Sequence, residues 1–249
     1  MAHIKDEQDF WEVDKPRLIL YADIMGFKDT VIKTSHVNLK KRLLNFRKAF
    51  EQKIAPLKFG NHLRYVQFSD SIIIVVNGVD SKMVNLITKA GIILMHTALK
   101  MKFPLKGVLA QGVFTYDTKD ELYFGKPLVD AAILHDDIYF YGIVVHHSAE
   151  RTIKVNISKD CPYCNSRVSL KKGKTAHYHL AWNMSNINLS PGDITETANK
   201  WLQDIQEQVS GPPRIYIDNT LDLLNIDRES IQAFDENQLE SQTTGYIIT

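Results

Sequence analysis

The stretch RYVQFSDSIIIVVNG, residues 64–78, constrains the fold more than any other. Its β-branched run, Ile72 to Val76, reads as a strand buried on both faces and closed by Asn77-Gly78. Asp70 stands at the head of that run, where burying an unpaired charge costs several kcal/mol. The stretch RLILYADIMGF, residues 17–27, repeats the pattern: Asp23 follows an apolar strand and precedes Gly26-Phe27. Two carboxylates at strand ends either cap turns or face a common cation.

The elements around them alternate. Residues 17–24 form a strand, and Thr30 to about Lys53 has helical spacing with Pro56 beyond it as a stop. Residues 62–78 give two strands joined at Phe68-Ser69-Asp70. Asp80 or Ser81 caps a helix running to about Met101, with Met83, Leu86, Ile87, Ala90, Ile93 and Leu94 on one stripe. A strand with two glycines (LKGVLAQGVFTYD), a short strand (ELYFG), a helix opened by Pro127 and a strand (GIVVHH) follow, and Ser148 starts a further turn. This order predicts an α+β fold of ferredoxin-like βαββαβ type over residues 1–150. From Arg151 the texture is polar and interrupted, which predicts a C-terminal α/β extension over 151–249. It comprises an irregular β segment, an amphipathic helix over Thr195–Val209, a break at Gly211-Pro212-Pro213, a last helix over Leu221–Phe234 and a loose tail. There is no internal repeat.

Thirty basic against 29 acidic side chains leave a formal net charge of +1, so no global field invites nucleic acid or an acidic membrane. An anionic ligand must then be held locally. The opening MAHIKDEQDFWEV lacks the apolar core of a signal peptide. No apolar run approaches the roughly 20 residues that span a bilayer. Two cysteines only, Cys161 and Cys164, fit a reducing cytoplasm.

In a β-α-β-β frame the end of the first strand and the turn between the second and third come side by side, which sets Asp23 beside Asp70. Two carboxylates that close need a cation, or one must take a proton. With no His or Cys beside them, hard oxygen ligands select Mg²⁺ or Mn²⁺ over zinc. Ile24 to Phe27 then offers backbone N–H groups as an anion cradle.

The blocks YADIMGFKD, QFSDSIIIV and LKGVLAQGVFTYDTKDELYFGKPLVDAAIL resemble the three signature blocks of class III nucleotidyl cyclases, over roughly residues 17–150. The resemblance implies that Asp23, the carbonyl of Ile24 and Asp70 bind two divalent metals, with Gly26 and Phe27 lining the triphosphate. It also implies a nucleoside triphosphate substrate. Usual members carry an Asn and an Arg four residues apart in the helix after the glycine block, where this chain has Val129 and Ile133. The purine-reading Lys corresponds to Val66 and the base-reading acid to Leu122, so adenylyl or guanylyl specificity is not supported.

A divergent bacterial branch, the pyrimidine cyclases of Pycsar antiphage defence, is similar in Arg64-x-x-x-Phe68-Ser69-Asp70. That resemblance implies UTP or CTP as substrate and 3′,5′-cyclic UMP or CMP as an antiviral messenger. It further implies a homodimer with active sites between protomers and a separate effector that reads the product. A catalytically inactive cyclase fold that binds nucleotide or dimerises is the alternative. Arg64 suits uracil because a guanidinium only donates and uracil presents two carbonyl acceptors; the other reading is a solvated strand residue. Lys106, just before Gly107, reaches a phosphate or the base, or lies on the rim. Cys161-Pro162-Tyr163-Cys164 with His177 and His179 leaves a zinc knuckle open, although H-x-H departs from the usual spacing.

Overall fold

The structure, a computed structural model, describes residue 11 and residues 14–58, 60–158, 161–184 and 191–243. The expectations for residues 1–10 and for the last six residues lie outside that range. Strand β1 (Lys15–Ile24) leads through helices α1 (Phe27–Lys33) and α2 (His36–Ile54) to the β2 (Leu63–Phe68) and β3 (Ser71–Val76) hairpin. Helix α3 (Ser81–Lys100), β4 (Leu105–Asp117), β5 (Leu122–Phe124), α4 (Lys126–Asp137), β6 (Ile143–Val145) and α5 (His147–Lys154) follow. The hairpin β7 (Tyr163–Leu170) and β8 (Gly173–Leu180) precedes α6 (Pro191–Gln206) and α7 (Pro212–Thr243).

The sheet runs β2-β3-β1-β4-β6-β8-β7, with β5 on β4. β1 is antiparallel to β3 and β4, and β4 is parallel to β6. The order β2-β3-β1-β4 is the ferredoxin-like unit that the alternation predicted. Its central strand separates two cores. Leu18, Leu20, Ala22 and Ile24 face α2 and α3, while Ile19 joins Val75, Val108 and Phe114 on the face covered by α4. Phe46, Phe50 and Ile54 anchor α2, and burying each is worth about 1.5–3 kcal/mol.

Four elements differ from the sequence expectation. The helix expected over Thr30–Lys53 is two, because Thr34 is extended (φ −113°) and Ser35 caps α2 by accepting from the Asn38 N–H at 3.4 Å. The irregular β segment is a regular hairpin with Tyr163 opposite Leu180, and Val144 pairs with His179, so β8 extends the sheet. Its apolar alternation is weak because a buried polar residue, His179, takes a core position against Asp227 of α7. The last helix begins at Pro212 rather than near Leu221, since proline at the first helical positions forfeits no bond and has φ already set. Helix α3 is buried nearly all round instead of along one stripe, because Trp182, Ala198 and Leu202 of the extension cover its second side. Among the described residues no helix is long and apolar enough to cross a membrane.

Candidate active site

Asp23 lies opposite Ser71 on β3 and opposite Lys106 on β4. Residues directly opposite on antiparallel strands share a face and bring their Cβ atoms within about 4.5–5.5 Å. The Ser71 hydroxyl donates to Asp23 Oδ1 at 2.7 Å and lies 3.5 Å from the Tyr21 hydroxyl. The chain turns from β2 to β3 through Ser69, at φ 56°, and Asp70. The Ile24 N–H donates to the Asp70 carbonyl at 3.1 Å, which ties the end of β1 to that turn. In an extended strand a residue's C=O points to the same side as its N–H, so the Ile24 carbonyl also faces the turn.

The Asp23 carboxyl is held above the ordinary carboxylate range. Burial is the first cause; the Ser71 bond opposes it, Asp70 and Asp136 add repulsion, and Lys106 partly offsets them. Asp23, Asp70 and the Ile24 carbonyl are thus a hard-oxygen set in which negative charge is under-compensated, and that set fits a hard divalent cation. Such a cation would be held by those three groups.

The other expected residues divide. Gly26 caps α1 with φ 69°, a left-handed conformation that glycine adopts without a Cβ penalty, and its carbonyl accepts from both the N–H and the hydroxyl of Thr30 at 3.0 Å. Phe27 is partly buried and lines a groove of about 540 Å³ with Leu39, Leu43, Lys40 and Arg47. Lys106 is brought to the carboxylates but is only 4 % exposed, with Nζ donating to the Ile138 carbonyl at 3.3 Å. Burial pulls its ammonium below the usual lysine value, against the charges of Asp136 and Asp23.

Arg64 is not brought to them. It pairs with Val75, four positions along β3 from Ser71, and its guanidinium lies 4.8 Å from the Trp11 ring and 5.9 Å from that of Tyr116. Val66 shares that face by alternation. Val129 (58 % exposed) and Ile133 (65 %) point off α4 into solvent, where Ala131 and His135 point inward.

Sequence reasoning missed Ser71, Tyr21, His135 and Asp136. Alternation places Tyr21 on Asp23's face, a signal that was available. His135 was not readable. Its ring packs edge-on to Tyr21 at 5.2 Å, its Nε2 is buried without a partner among the described residues, and burial, then the Lys106 charge, pushes its pKa down to about 4. The cysteine-histidine group is not gathered. His179 gives Nε2 to Asp227 and Nδ1 to Ser166, and His177 pairs with Glu150. Among the described residues no three His, Cys, Asp or Glu side chains cluster to hold a metal.

Comparison with solved structures identifies the fold. The chain superposes on the adenylyl cyclase CyaB from P. aeruginosa with a TM-score of 0.53 at 13% identity, covering 68% of this chain and 94% of that one. The guanylate cyclase domain of RhGC from Catenaria anguillulae, in complex with GTP, gives 0.51 at 14%, covering 67% and 96%. The monomeric guanylyl cyclase domain of RhoGC from Blastocladiella emersonii gives 0.52 at 12%, covering 67% and 95%. No protein-family profile and no curated protein sequence matches the chain. The class defined is therefore a fold class: the catalytic-domain fold of class III nucleotidyl cyclases. Residues beyond that likeness make up the rest of this chain.

Proposed function

We propose that the chain is a metal-dependent nucleotidyl cyclase of the cytoplasm that converts UTP to 3′,5′-cyclic UMP and diphosphate as an antiviral messenger. The observation that carries the cyclase reading is the pair Asp23 and Asp70, joined through the Ile24–Asp70 backbone bond on this fold. In the reaction the ribose 3′ oxygen forms a bond to the α-phosphorus as the α–β bridging P–O bond breaks. The hydroxyl proton is lost and diphosphate leaves. Divalent Mn²⁺ or Mg²⁺ bound there would supply activation of the 3′ oxygen and neutralisation of the triphosphate. Asp23, kept in place by Ser71, and Asp70, kept in place by the turn, would hold those ions. Gly26 and Phe27 border the same edge and would line the triphosphate.

The pyrimidine reading is supported by the resemblance at Arg64 to Asp70 and by Val66 and Leu122, which offer a purine edge no hydrogen bond. UTP is preferred to CTP if the base is met by donors alone, because position 4 accepts in uracil and donates in cytosine. A homodimer is supported by apolar side chains left in solvent: Phe68 (82 % exposed) beside the Ser69-Asp70 turn, and Phe124, Val129 and Ile133 elsewhere on the surface. A second copy would cover them and bring groups to the site that the chain lacks at Val129 and Ile133. Those two residues equally favour a second reading, an inactive cyclase fold that binds nucleotide. Incubation with each of the four labelled nucleoside triphosphates and Mn²⁺ separates the readings, with Asp70→Asn as the control. Cyclic UMP formation that disappears in the variant is expected; no cyclic product from any of the four would leave the binding module.

A further inference from the structure

Helix α7, in the C-terminal part of the chain, reaches the carboxylate edge. Its Tyr216 stacks on Tyr139 at 4.9 Å and on Tyr141 at 5.6 Å. Asn219 donates to the Tyr139 carbonyl at 2.8 Å, and the Thr220 hydroxyl accepts from the Tyr141 N–H at 2.9 Å, so this turn of α7 is pinned to the segment after α4. The Lys106 ammonium lies 5.5 Å from the centre of the Tyr216 ring while it donates to the Ile138 carbonyl. Asp23 is directly opposite Lys106 across β1 and β4, yet among the described residues the two make no ion pair. The ammonium is attracted by the carboxylates of Asp136 and Asp23, and it rests against the ring face and the Ile138 carbonyl.

We propose that Tyr216 is a positioning residue for the candidate metal site: its ring holds the Lys106 ammonium off the Asp23 carboxylate and leaves that carboxylate to a divalent cation. The inference rests on the metal reading above. A lysine and a metal ion compete for one carboxylate, so whatever retains the lysine raises the affinity for the metal. An aromatic ring retains an ammonium through its quadrupole, which an aliphatic side chain of similar bulk lacks. The hydroxyl of Tyr216 has no part in this. The C-terminal region is then a working part of the site, since a shift of α7 releases Lys106.

The test is Mn²⁺ binding to the full metal-free chain, read as free Mn²⁺ by electron paramagnetic resonance. Tyr216→Leu is expected to weaken binding about three- to tenfold, the range a partly buried cation–π contact supports. Tyr216→Phe should bind as the wild type does. Lys106→Met should bind more tightly than the wild type, and adding Tyr216→Leu to it should change nothing further. An unchanged affinity in Tyr216→Leu overturns the proposal, as does the same loss in the Lys106→Met background, which would mark a general loosening of α7. If Tyr216→Leu fails to fold, weaker binding in Lys106→Met or in Tyr216→Phe overturns it. A wild type that binds no Mn²⁺ overturns the metal reading itself, and this inference with it.

Discussion

The Ser71 hydroxyl donates to the Asp23 carboxylate at 2.7 Å, across two strand ends that the chain separates by 48 residues. That bond fixes the direction in which Asp23 presents its lone pairs. A ligand oriented by a hydrogen bond binds its ion better than one left to rotate, and losing such a partner typically costs about ten- to a hundredfold in metal affinity or activity. Ser71→Ala is therefore expected to keep the fold and to weaken Mn²⁺ binding by about tenfold. Calorimetric titration of the variant checks it; wild-type affinity would mean that Asp23 needs no orientation.

Asp23→Asn should stabilise the metal-free chain at neutral pH. The Asp23 carboxyl is held above the ordinary carboxylate value, first by burial. The folded chain therefore keeps this proton better than the unfolded chain does. Stability is lost as pH rises through the window between the ordinary value and the raised one, and it stays lost above that window. The Asn variant escapes the loss, so its melting temperature should exceed that of the wild type at pH 7, and the gap should close toward pH 4. Saturating Mn²⁺ should reverse the order at pH 7, since ion at a hundred times its dissociation constant adds about 2.7 kcal/mol to the wild type alone. A wild type that is the more stable at pH 7 without metal would refute the charge argument.

Arg64 is held by rings. Trp11 is within cation–π range of both Arg17, at 5.1 Å, and Arg64, at 4.8 Å. Arg64→Ala removes that stacking and the aliphatic stem beneath it, and should cost about 1–2 kcal/mol of stability in urea unfolding. The ratio of UTP to CTP turnover should stay as it is in the wild type. A collapsed ratio at unchanged stability would return the base-reading role to Arg64.

The His179–Asp227 pair binds α7 to the hairpin at 2.6 Å, with both side chains 1% exposed. Removing one member leaves a buried polar group without its partner, so Asp227→Ala should cost about 2–4 kcal/mol. Amide exchange should rise in α7 and β8 before it rises in β1 and β3. Uniform exchange across the sheet would show instead that the hairpin and α7 are not a separately opening unit.

The order of elements was legible in the sequence because each carries its own local signal. The run Ile72–Val76 is β-branched, Asp80 precedes an apolar helix and accepts from the Met83 N–H, and Gly26 and Asn77-Gly78 mark turns. From that order alone the pairing of Asp23 with Asp70 follows, since the βαββ connection leaves their strand ends adjacent. What the sequence could not determine is how groups distant in the chain share space. Lys106 reads as a rim lysine or a ligand-binding one, but its place is decided by Ile138 and Tyr216, one of them 110 residues away on α7. Arg64 reads as a base reader in the sequence, while its place against the Trp11 and Tyr116 rings is set only in the folded chain. The zinc alternative at Cys161, Cys164, His177 and His179 was open until His179 was committed to Asp227 and Ser166. Local pattern follows from backbone geometry, which neighbours in sequence determine. The charge state and orientation of a side chain follow from desolvation and from partners, and only the packed tertiary structure supplies those.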